Sequence, residues 1–253
     1  MPIDLNVLAE IGTRAGLLAQ EERKRLATEL KSDGSLVTNA DRKVEEFLRS
    51  ELAPLATNTS VWGEEFGRAD EDTNGIWLLD PIDGTSNFAM GLPTWGVSIA
   101  RWHDGSLREG CIYLPDLGEL YVAGEGRGAT LNGEPISVVV PGRPKAFELI
   151  SCCPHIAPLI GSEKVPGRLR CFGASVVDGS WTVTQRLRGL YGMGERLYDV
   201  AATLVMAAEV GLIASYTDGT PLNLPSLVAG TPIHRPWQIM PPADKATSAN
   251  PRG

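Results

Sequence analysis

The first part of the chain alternates apolar and polar positions in the way that predicts two helices. Apolar residues three or four positions apart mark the first helix: Leu5, Leu8, Ile11, Ala15 and Leu18. A second set with helical spacing follows Thr38: Val44, Phe47, Leu48 and Leu52. Each set lies on one face, so each helix is expected to pack through that face.

Strand patterns replace the helical spacing in the middle of the chain. The apolar run 76–79, between Gly75 and Pro81, predicts a short strand that is buried on both faces. From Trp95 onward the pattern predicts short strands over 96–100, 110–114, 120–123 and 129–131. Asn132-Gly133 is a typical dipeptide of a hairpin turn. We therefore predict an antiparallel meander here.

The last part of the chain alternates strand and helix patterns. A strand is predicted over 147–151, a helix over 175–187, a strand near Tyr191 and a helix over 199–210. The segment from Pro232 has little periodic pattern and is predicted to be partly disordered at its end. The chain thus divides into an N-terminal α+β part, residues 1–145, and a C-terminal α/β part, residues 146–253.

Composition narrows the class of protein and its partners. The 253 residues, 43% of them hydrophobic and 21% charged, are typical of a globular protein with a sizeable core. The formal net charge of -8 speaks against nucleic acid or an anionic membrane as the main partner. No apolar run approaches the roughly 20 residues that span a bilayer, and the first residues lack a signal-peptide pattern. A cytoplasmic location is expected.

The cysteines carry no metal-site spacing. Cys152 and Cys153 are adjacent, Cys111 and Cys171 stand apart, and no Cys-x-x-Cys pair occurs. Buried or free thiols are expected. His155 lies near two of them, but with only three histidines in the chain neither a zinc site nor a histidine-based nucleophilic triad is favoured.

The segment 77–88 carries the main candidate chemistry. Asp80 and Asp83 lie three residues apart just after the buried run, and Pro81 turns the chain so that the two carboxylates can share one pocket. Paired carboxylates repel unless a cation neutralises them, and oxygen ligands favour magnesium, manganese or calcium. Gly84 then opens a turn whose backbone N–H groups suit an anion. An ordinary Asp-Pro-x-Asp-Gly turn is the alternative.

Four elements in one order resemble the inositol monophosphatase family of metal-dependent phosphatases. These elements are residues 31–45, the Gly-Glu-Glu segment 62–67, the Asp-Pro-Ile-Asp-Gly-Thr segment 80–85, and 198–202 followed by 209–211. The resemblance runs from about residue 30 to about residue 220. It implies a layered α-β-α-β-α sandwich of the inositol monophosphatase and fructose-1,6-bisphosphatase type, with the metal site between the two parts, and it implies a homodimer.

The resemblance also implies a role for each matching position. One Mg²⁺ would be held by Glu64, Asp80 and the carbonyl of Ile82, and a second by Asp80, Asp83 and Asp199. Two or three ions are expected, with Mn²⁺ as the alternative metal. Asp41 and Thr85 would orient or deprotonate the attacking water, with Glu64 as a third catalytic residue. The phosphate would contact the following residues: Asp83, Gly84, Thr85, Ser175 and Asp199.

Three of these carboxylates also have purely structural interpretations. Asp41 lies three residues after Thr38, as in a helix capping box. Asp199 opens an apolar helix, where a carboxylate complements the helix dipole. Glu64 lies beside Glu65, and the two are also consistent with a solvated pair in a loop. The sequence leaves these alternatives open at each single position.

Departures from the family concern the substrate. Inositol-specific members carry a Glu seven residues before the last metal-binding Asp, and here that position is Gly192. We expect residues 173–175 and 192–196 to line the pocket. The substrate is expected to be a small phosphorylated metabolite, the phosphate monoester of a small alcohol or polyol. Histidinol phosphate, fructose 1,6-bisphosphate and a nucleotide 3'-phosphate are alternatives, and a regulatory or binding protein without turnover is an alternative of another class.

Overall fold

Two β-sheets and four principal helices stack in layers. The computed structural model describes residues 2–56, 58–68, 75–153, 156, 158 and 165–244. Its helices are α1 (Leu5–Arg23), α2 (Asn39–Leu52), α3 (Thr85–Ala89), α4 (Ser175–Val183), α5 (Leu197–Glu209) and α6 (Leu224–Val228). A short 3-10 helix, Ala53–Leu55, follows α2. None of the helices within the described ranges is both long and apolar enough to cross a membrane.

The strands form one large sheet, one smaller sheet and a small hairpin. The N-terminal strands are β1 (Thr28–Leu30), β2 (Leu36–Thr38), β3 (Thr59–Gly63), β4 (Gly67–Arg68), β5 (Gly75–Asp83), β6 (Gly96–His103), β7 (Ser106–Leu114), β8 (Glu119–Gly124), β9 (Gly128–Leu131) and β10 (Glu134–Pro135). The C-terminal strands are β11 (Leu149–Cys152), β12 (Arg168–Arg170), β13 (Gly189–Gly192), β14 (Ile213–Tyr216) and β15 (Trp237–Met240).

The large sheet has eight strands in the order β10-β9-β8-β7-β6-β5-β3-β4. Within it, β6 to β10 pair as antiparallel neighbours, which confirms the predicted meander. Asn132 and Gly133 join β9 to β10 with positive φ angles of 51° and 84°, as a two-residue hairpin requires. The smaller sheet has the order β12-β11-β13-β15-β14.

Strand β5 lies at the centre of the molecule. Its side chains alternate between two apolar clusters, with Trp77 and Leu79 in the cluster under α1 and α2, and Ile76 and Leu78 in the cluster around α4 and α5. Burial of each such side chain contributes about 1.5–3 kcal/mol. The prediction of a strand buried on both faces is therefore confirmed. The strand is longer than predicted, because it continues through Asp80 to Asp83 with an irregular register.

The layers confirm the predicted α+β sandwich. α1 and α2 cover one face of the large sheet, and α5 lies against the other face and beside α4. The smaller sheet contacts α4 and α5 through β13 and β14, so the described elements form the layers helix, sheet, helix and sheet, which are four of the five predicted layers. All the strands of the large sheet belong to residues 1–145 and all those of the smaller sheet to residues 146–253.

In the C-terminal half one strand was not predicted, and one predicted helix was too long. The segment after Pro232 contains β15, which pairs with β13 and β14 and buries Trp237 to 2% exposure. A four-residue strand flanked by prolines carries little periodic signal, so only its pairing partners identify it. The helix over 175–187 ends at Val183, since Gln185 adopts a positive φ of 60°. Predicted features at His155 and at the last nine residues lie outside the described residues.

Candidate metal centre

Three carboxylates from three elements converge beside the end of β5. One oxygen from each of Glu64, Asp80 and Asp199 lies within 4.8 Å of the other two. Parallel pairing of β3 with β5 sets Gly63 opposite Leu79, which brings Glu64 next to Asp80. The Glu64 N–H donates to the Leu79 carbonyl at 3.2 Å and fixes this register beyond the strand. The three side chains form one cluster that a metal ion could occupy.

Asp83 approaches the same cluster through the irregular end of β5. Its Oδ2 accepts a hydrogen bond from the N–H of Val176 in the first turn of α4. Burial raises the pKa of Asp83 to about 8, although the backbone N–H groups of Val176 and Gly84 lower it in part. The Asp83 charge in turn raises the pKa of Asp80 and Asp199. Asp83 therefore interacts electrostatically with Asp80 and Asp199, whereas the group whose oxygens meet within 4.8 Å consists of Glu64, Asp80 and Asp199.

The electrostatics of the cluster favour a bound cation. Burial, followed by the charges of Glu64 and Asp83, raises the pKa of Asp80 well above its ordinary value. Burial and the charge of Asp83 do the same for Asp199. All the donor atoms are carboxylate oxygens, which are the ligands of hard divalent cations such as Mg²⁺ and Mn²⁺. Donor chemistry and charge thus fit a divalent metal.

Asp41 both caps α2 and faces the candidate metal centre. Its Oδ2 accepts from the Thr38 N–H at 2.8 Å and the Thr38 hydroxyl at 2.5 Å, which completes the predicted capping box of α2. Its Oδ1 accepts from the Thr85 hydroxyl at 3.2 Å. The same hydroxyl lies 3.0 Å from the Ile82 carbonyl. Because the two roles use different oxygens, the cap leaves Asp41 available to the site.

Asp199 also combines a helix-capping contact with a place in the acidic cluster. Its Oδ2 accepts from the Arg196 N–H at 2.7 Å in the first turn of α5, which is the helix-terminal role that the sequence left open. The carboxylate still belongs to the cluster with Glu64 and Asp80. The cap fixes the rotation of the side chain, so it orients the carboxylate toward the other two.

Lys31 is a site residue whose contact with the acids sequence reasoning missed. Its Nζ donates to Glu64 Oε1 at 2.8 Å and to Glu65 Oε1 at 2.7 Å. Burial raises the pKa of Glu65 to about 7, although the Lys31 hydrogen bond lowers it in part. The two acids are therefore not a solvated pair in a loop. The contact joins residues more than 30 positions apart, which no local pattern reveals.

A buried acid on α2 holds the turn that carries Glu64. Glu45 accepts from the N–H groups of Glu65 at 2.7 Å and Phe66 at 3.3 Å, and from Arg49 Nε at 2.9 Å. A Cβ at Gly63 would lie 2.1 Å from Glu45 Oε1. Glycine at position 63 is therefore what allows Glu45 to reach the turn.

Gly84 and Asn87 bind the start of α3 to the loop before α4. Gly84 has a positive φ of 81°, and a Cβ there would lie 2.8 Å from the Ala174 Cβ, so glycine is required on both grounds. Asn87 Nδ2 donates to the carbonyls of Thr94 and Phe172, each at 2.7 Å. These contacts fix Ser175 and the first turn of α4 beside Asp83.

A cavity of about 270 Å³ opens beside this centre. Its wall includes all of the expected residues 173–175 and, from the expected range 192–196, Gly192 and Glu195. Asp83 lines the same cavity, so the cavity and the metal centre are continuous. A Cβ at Gly192 would lie 2.4 Å from Trp237 Nε1, because the indole fills the space of a side chain at that position. Asp178 also lines the cavity and was missed by sequence reasoning.

Comparisons with known proteins agree with this geometry. A model described as the inositol monophosphatase family matches residues 4–240. An inositol-1-monophosphatase from Mesorhizobium japonicum is 32% identical, over 90% of this chain and 92% of its own length. A histidinol-phosphatase from Chlorobaculum parvum is 39% identical, over 54% of each chain. The solved structure of extragenic suppressor protein suhB from Bartonella henselae superposes with a TM-score of 0.81, at 26% identity and 93% coverage of both chains.

The range matched by the family model covers nearly the whole fold, and Glu64, Asp80 and Asp199 lie within it. Members of the matching family are metal-dependent, and Glu64, Asp80 and Asp199 form a candidate site for the metal. The chain therefore belongs to the inositol monophosphatase family and is a phosphomonoesterase.

Proposed function

We propose that the protein is a Mg²⁺-dependent phosphatase that hydrolyses the phosphate monoester of a small alcohol or polyol, with water as the nucleophile. One observation carries this proposal. Oxygens of Glu64, Asp80 and Asp199 lie within 4.8 Å of one another beside a cavity large enough for a small alcohol. Such a cluster suits the transfer of an anionic phosphoryl group only when divalent cations neutralise it.

Two or three Mg²⁺ ions would be held here, with Mn²⁺ as the alternative. Glu64, Asp80 and the carbonyl of Ile82 would hold one ion, and Asp80, Asp83 and Asp199 a second. When bound, such ions polarise the phosphate and lower the pKa of a water molecule. Asp80, at 2% exposure, would bridge them.

The pair Asp41 and Thr85 would orient the attacking water. The Thr85 hydroxyl lies 3.2 Å from Asp41 Oδ1 and 3.0 Å from the Ile82 carbonyl, and whichever acceptor receives its one proton, its lone pairs can accept a hydrogen bond from water. Burial raises the pKa of Asp41, although its hydrogen bonds from Thr38 lower it in part, so its carboxylate is a stronger base than an exposed one. Glu64 would complete the catalytic set.

Backbone groups around Gly84 would bind the phosphate. The turn at Gly84 and Thr85 opens α3, and Ser175 opens α4 beside Asp83. N–H groups at helix starts attract anions, and these two helices start on either side of Asp83. We assign phosphate contacts to Gly84, Thr85 and Ser175, with Asp83 and Asp199 acting through the metal.

Histidinol-phosphatase activity is the second candidate. The 39% identity to the Chlorobaculum parvum histidinol-phosphatase favours it, as does Gly192 in place of the acid that inositol-specific members carry. We further propose a cytoplasmic homodimer that binds neither nucleic acid nor membrane. Residues 1–145 would supply most of the metal ligands, and residues 146–253 would supply Asp199 and most of the substrate pocket.

Phosphate release by the purified chain tests the proposed function. The substrates would be inositol 1-phosphate, histidinol phosphate, fructose 1,6-bisphosphate, a nucleotide 3'-phosphate and glycerol 2-phosphate, each with Mg²⁺ and with excess chelator. We expect release from one monoester far above the others, and we expect the chelator to abolish it. Folded protein that binds Mg²⁺ yet releases phosphate from none of the five would count against hydrolysis of these substrates and would favour a binding role.

A further inference from the structure

A polar stripe runs along helix α2. Asp41, Glu45 and Arg49 follow one another at intervals of four residues, so they lie on one side of the helix. Asp41 and Glu45 each have an exposed fraction of 0%. Burial of a charged side chain is costly unless hydrogen bonds and an opposite charge compensate for it. Each buried acid of the stripe therefore needs partners from another element.

Glu45 finds its partners in the turn after β3 and in Arg49. The N–H groups of Glu65 and Phe66 donate to its two oxygens, at 2.7 Å to Oε2 and at 3.3 Å to Oε1. Arg49 donates to Oε1 through Nε at 2.9 Å, and its Nη2 donates to the Gly67 carbonyl at 2.7 Å. Helix α2 thus binds the turn at both its start and its end.

These contacts act on the candidate metal ligand Glu64 through its backbone. The Glu64 N–H donates to the Leu79 carbonyl, and the N–H of the next residue, Glu65, donates to Glu45. The two planar peptide groups that flank the Glu64 Cα are therefore both held by hydrogen bonds, which restrains the φ and ψ angles between them. The direction in which the Glu64 side chain leaves the backbone is fixed in the same way.

The same helix also holds the pair that would orient the attacking water. Asp41 Oδ1 lies 3.2 Å from the Thr85 hydroxyl, and Asp41 precedes Glu45 by about one helical turn. Four residues of α-helix span about 6 Å along the axis, so α2 sets the spacing between this pair and the turn that carries Glu64. A buried ion pair such as Glu45 and Arg49 gives little net stability compared with apolar side chains of the same volume. What the ion pair supplies is a fixed position for the turn.

We propose that Glu45 is a positioning residue for metal binding, which holds Glu64 in place for a divalent cation. This inference rests on the proposed phosphatase function. Glu45 itself would contact neither the metal nor the substrate, because its oxygens are bound by Glu65, Phe66 and Arg49. Loss of such an outer contact typically weakens metal binding by about 10–100-fold.

Mn²⁺ binding by the purified full-length chain, followed through the EPR signal of free Mn²⁺, tests the inference without any substrate. Glu64→Gln removes a proposed ligand and identifies the binding phase that belongs to its ion. Glu45→Gln keeps the shape of the side chain but sets an amide NH₂ against either the Glu65 N–H or the Arg49 guanidinium. We expect the Kd of that phase to rise about tenfold or more, with an unchanged number of sites.

Two further variants separate position from stability. Arg49→Lys keeps the positive charge but loses the fork that spans Glu45 and the Gly67 carbonyl, so it should raise the same Kd. Glu109→Gln is the matched control. Glu109 is also buried, at 1% exposure, and its hydrogen bonds come from residues outside the turn: Ile3, Arg101 and Arg127. The Glu109 variant should lose stability in urea unfolding yet keep the wild-type Kd, because partial unfolding lowers the number of sites rather than the affinity of each folded site.

Failure of the positioning role can be told apart from failure of the proposed function. An unchanged Kd in Glu45→Gln, or in Arg49→Lys where Glu45→Gln does not fold, would overturn the positioning role and leave the phosphatase assignment intact. An equal rise of the Kd in Glu109→Gln would also overturn it, because the effect would then reflect a general loss of structure. A wild-type chain that binds no Mn²⁺ and shows no chelator-sensitive release from 4-nitrophenyl phosphate would overturn both.

Discussion

Replacement of Asp178 by Asn should stabilise the metal-free protein, and more so as pH rises. Burial raises the pKa of Asp178 from an ordinary value of 3.8 to about 7, and the charge of Glu195 adds to the shift. Between these values the folded state binds a proton that the unfolded state has lost, so wild-type stability falls as pH rises. The amide removes this titration and still accepts a hydrogen bond from Ser151.

The expected magnitude follows from the pKa difference. Each pH unit between the two pKa values is worth about 1.4 kcal/mol, so the variant's advantage is up to about 4 kcal/mol above pH 7. Between pH 5 and pH 8 the advantage should grow by about 2–3 kcal/mol. Urea unfolding of both proteins at the two pH values, with chelator present, measures this change.

Asp116→Asn is the control, because the pKa of Asp116 is shifted in the opposite direction from that of Asp178. Although burial raises the pKa of Asp116, hydrogen bonds from Arg23, Trp95 and Gln20 hold that pKa below its ordinary value. The stability from this carboxylate is present at pH 5 and pH 8 alike and is lost only in acid. Its variant should therefore be destabilised by a similar amount at both pH values. An Asp178 variant no more stable than wild type at pH 8, or an advantage that stays constant with pH, would refute the reasoning.

Substitutions at three further positions test the centre itself. Asp83→Asn should abolish phosphate release while near-UV circular dichroism stays unchanged; near-normal turnover in a folded variant would contradict the two-metal assignment. Thr85→Ala should lower kcat more than it weakens Mg²⁺ activation, and Thr85→Ser should restore kcat; an effect on Mg²⁺ activation alone would exclude a water-orienting role. Gly63→Ala places a Cβ 2.1 Å from Glu45 Oε1 and should cost about 1–3 kcal/mol in urea unfolding, so an unchanged midpoint would count against this contact.

Local signals in the sequence were sufficient for much of the fold. The helical spacing before Arg23, the apolar run in β5 and the turn at Asn132 and Gly133 each depend on residues close together in the chain. Strand ends were less well predicted, because pairing with β6 carries β5 on past Pro81 to Asp83. Register and length depend on the partner strand, which periodicity within one segment does not describe.

The substrate side of the site could not be predicted in the same way. The segment from Pro232 has little periodic pattern, yet Trp237 in β15 lies opposite Gly192 and occupies the space of a side chain there. Asp178 and Glu195 belong to different elements, and only the packing of α4 against α5 brings them to one cavity. Motif spacing identifies ligands that are anchored on their own elements, whereas a cavity wall is set by contacts between elements.

The competing interpretations of the sequence at Asp41 and Asp199 are compatible in the structure. Each carboxylate uses Oδ2 to cap its helix, through the N–H of Thr38 or of Arg196. At Asp41 the free Oδ1 then meets Thr85, and at Asp199 the carboxylate joins Glu64 and Asp80. A cap fixes side-chain torsions that a free carboxylate would have to order when metal binds, a cost of about 0.5–1.5 kcal/mol per side chain. Capping therefore preorganises the centre, and removal of Thr38 should weaken the site without removing any ligand.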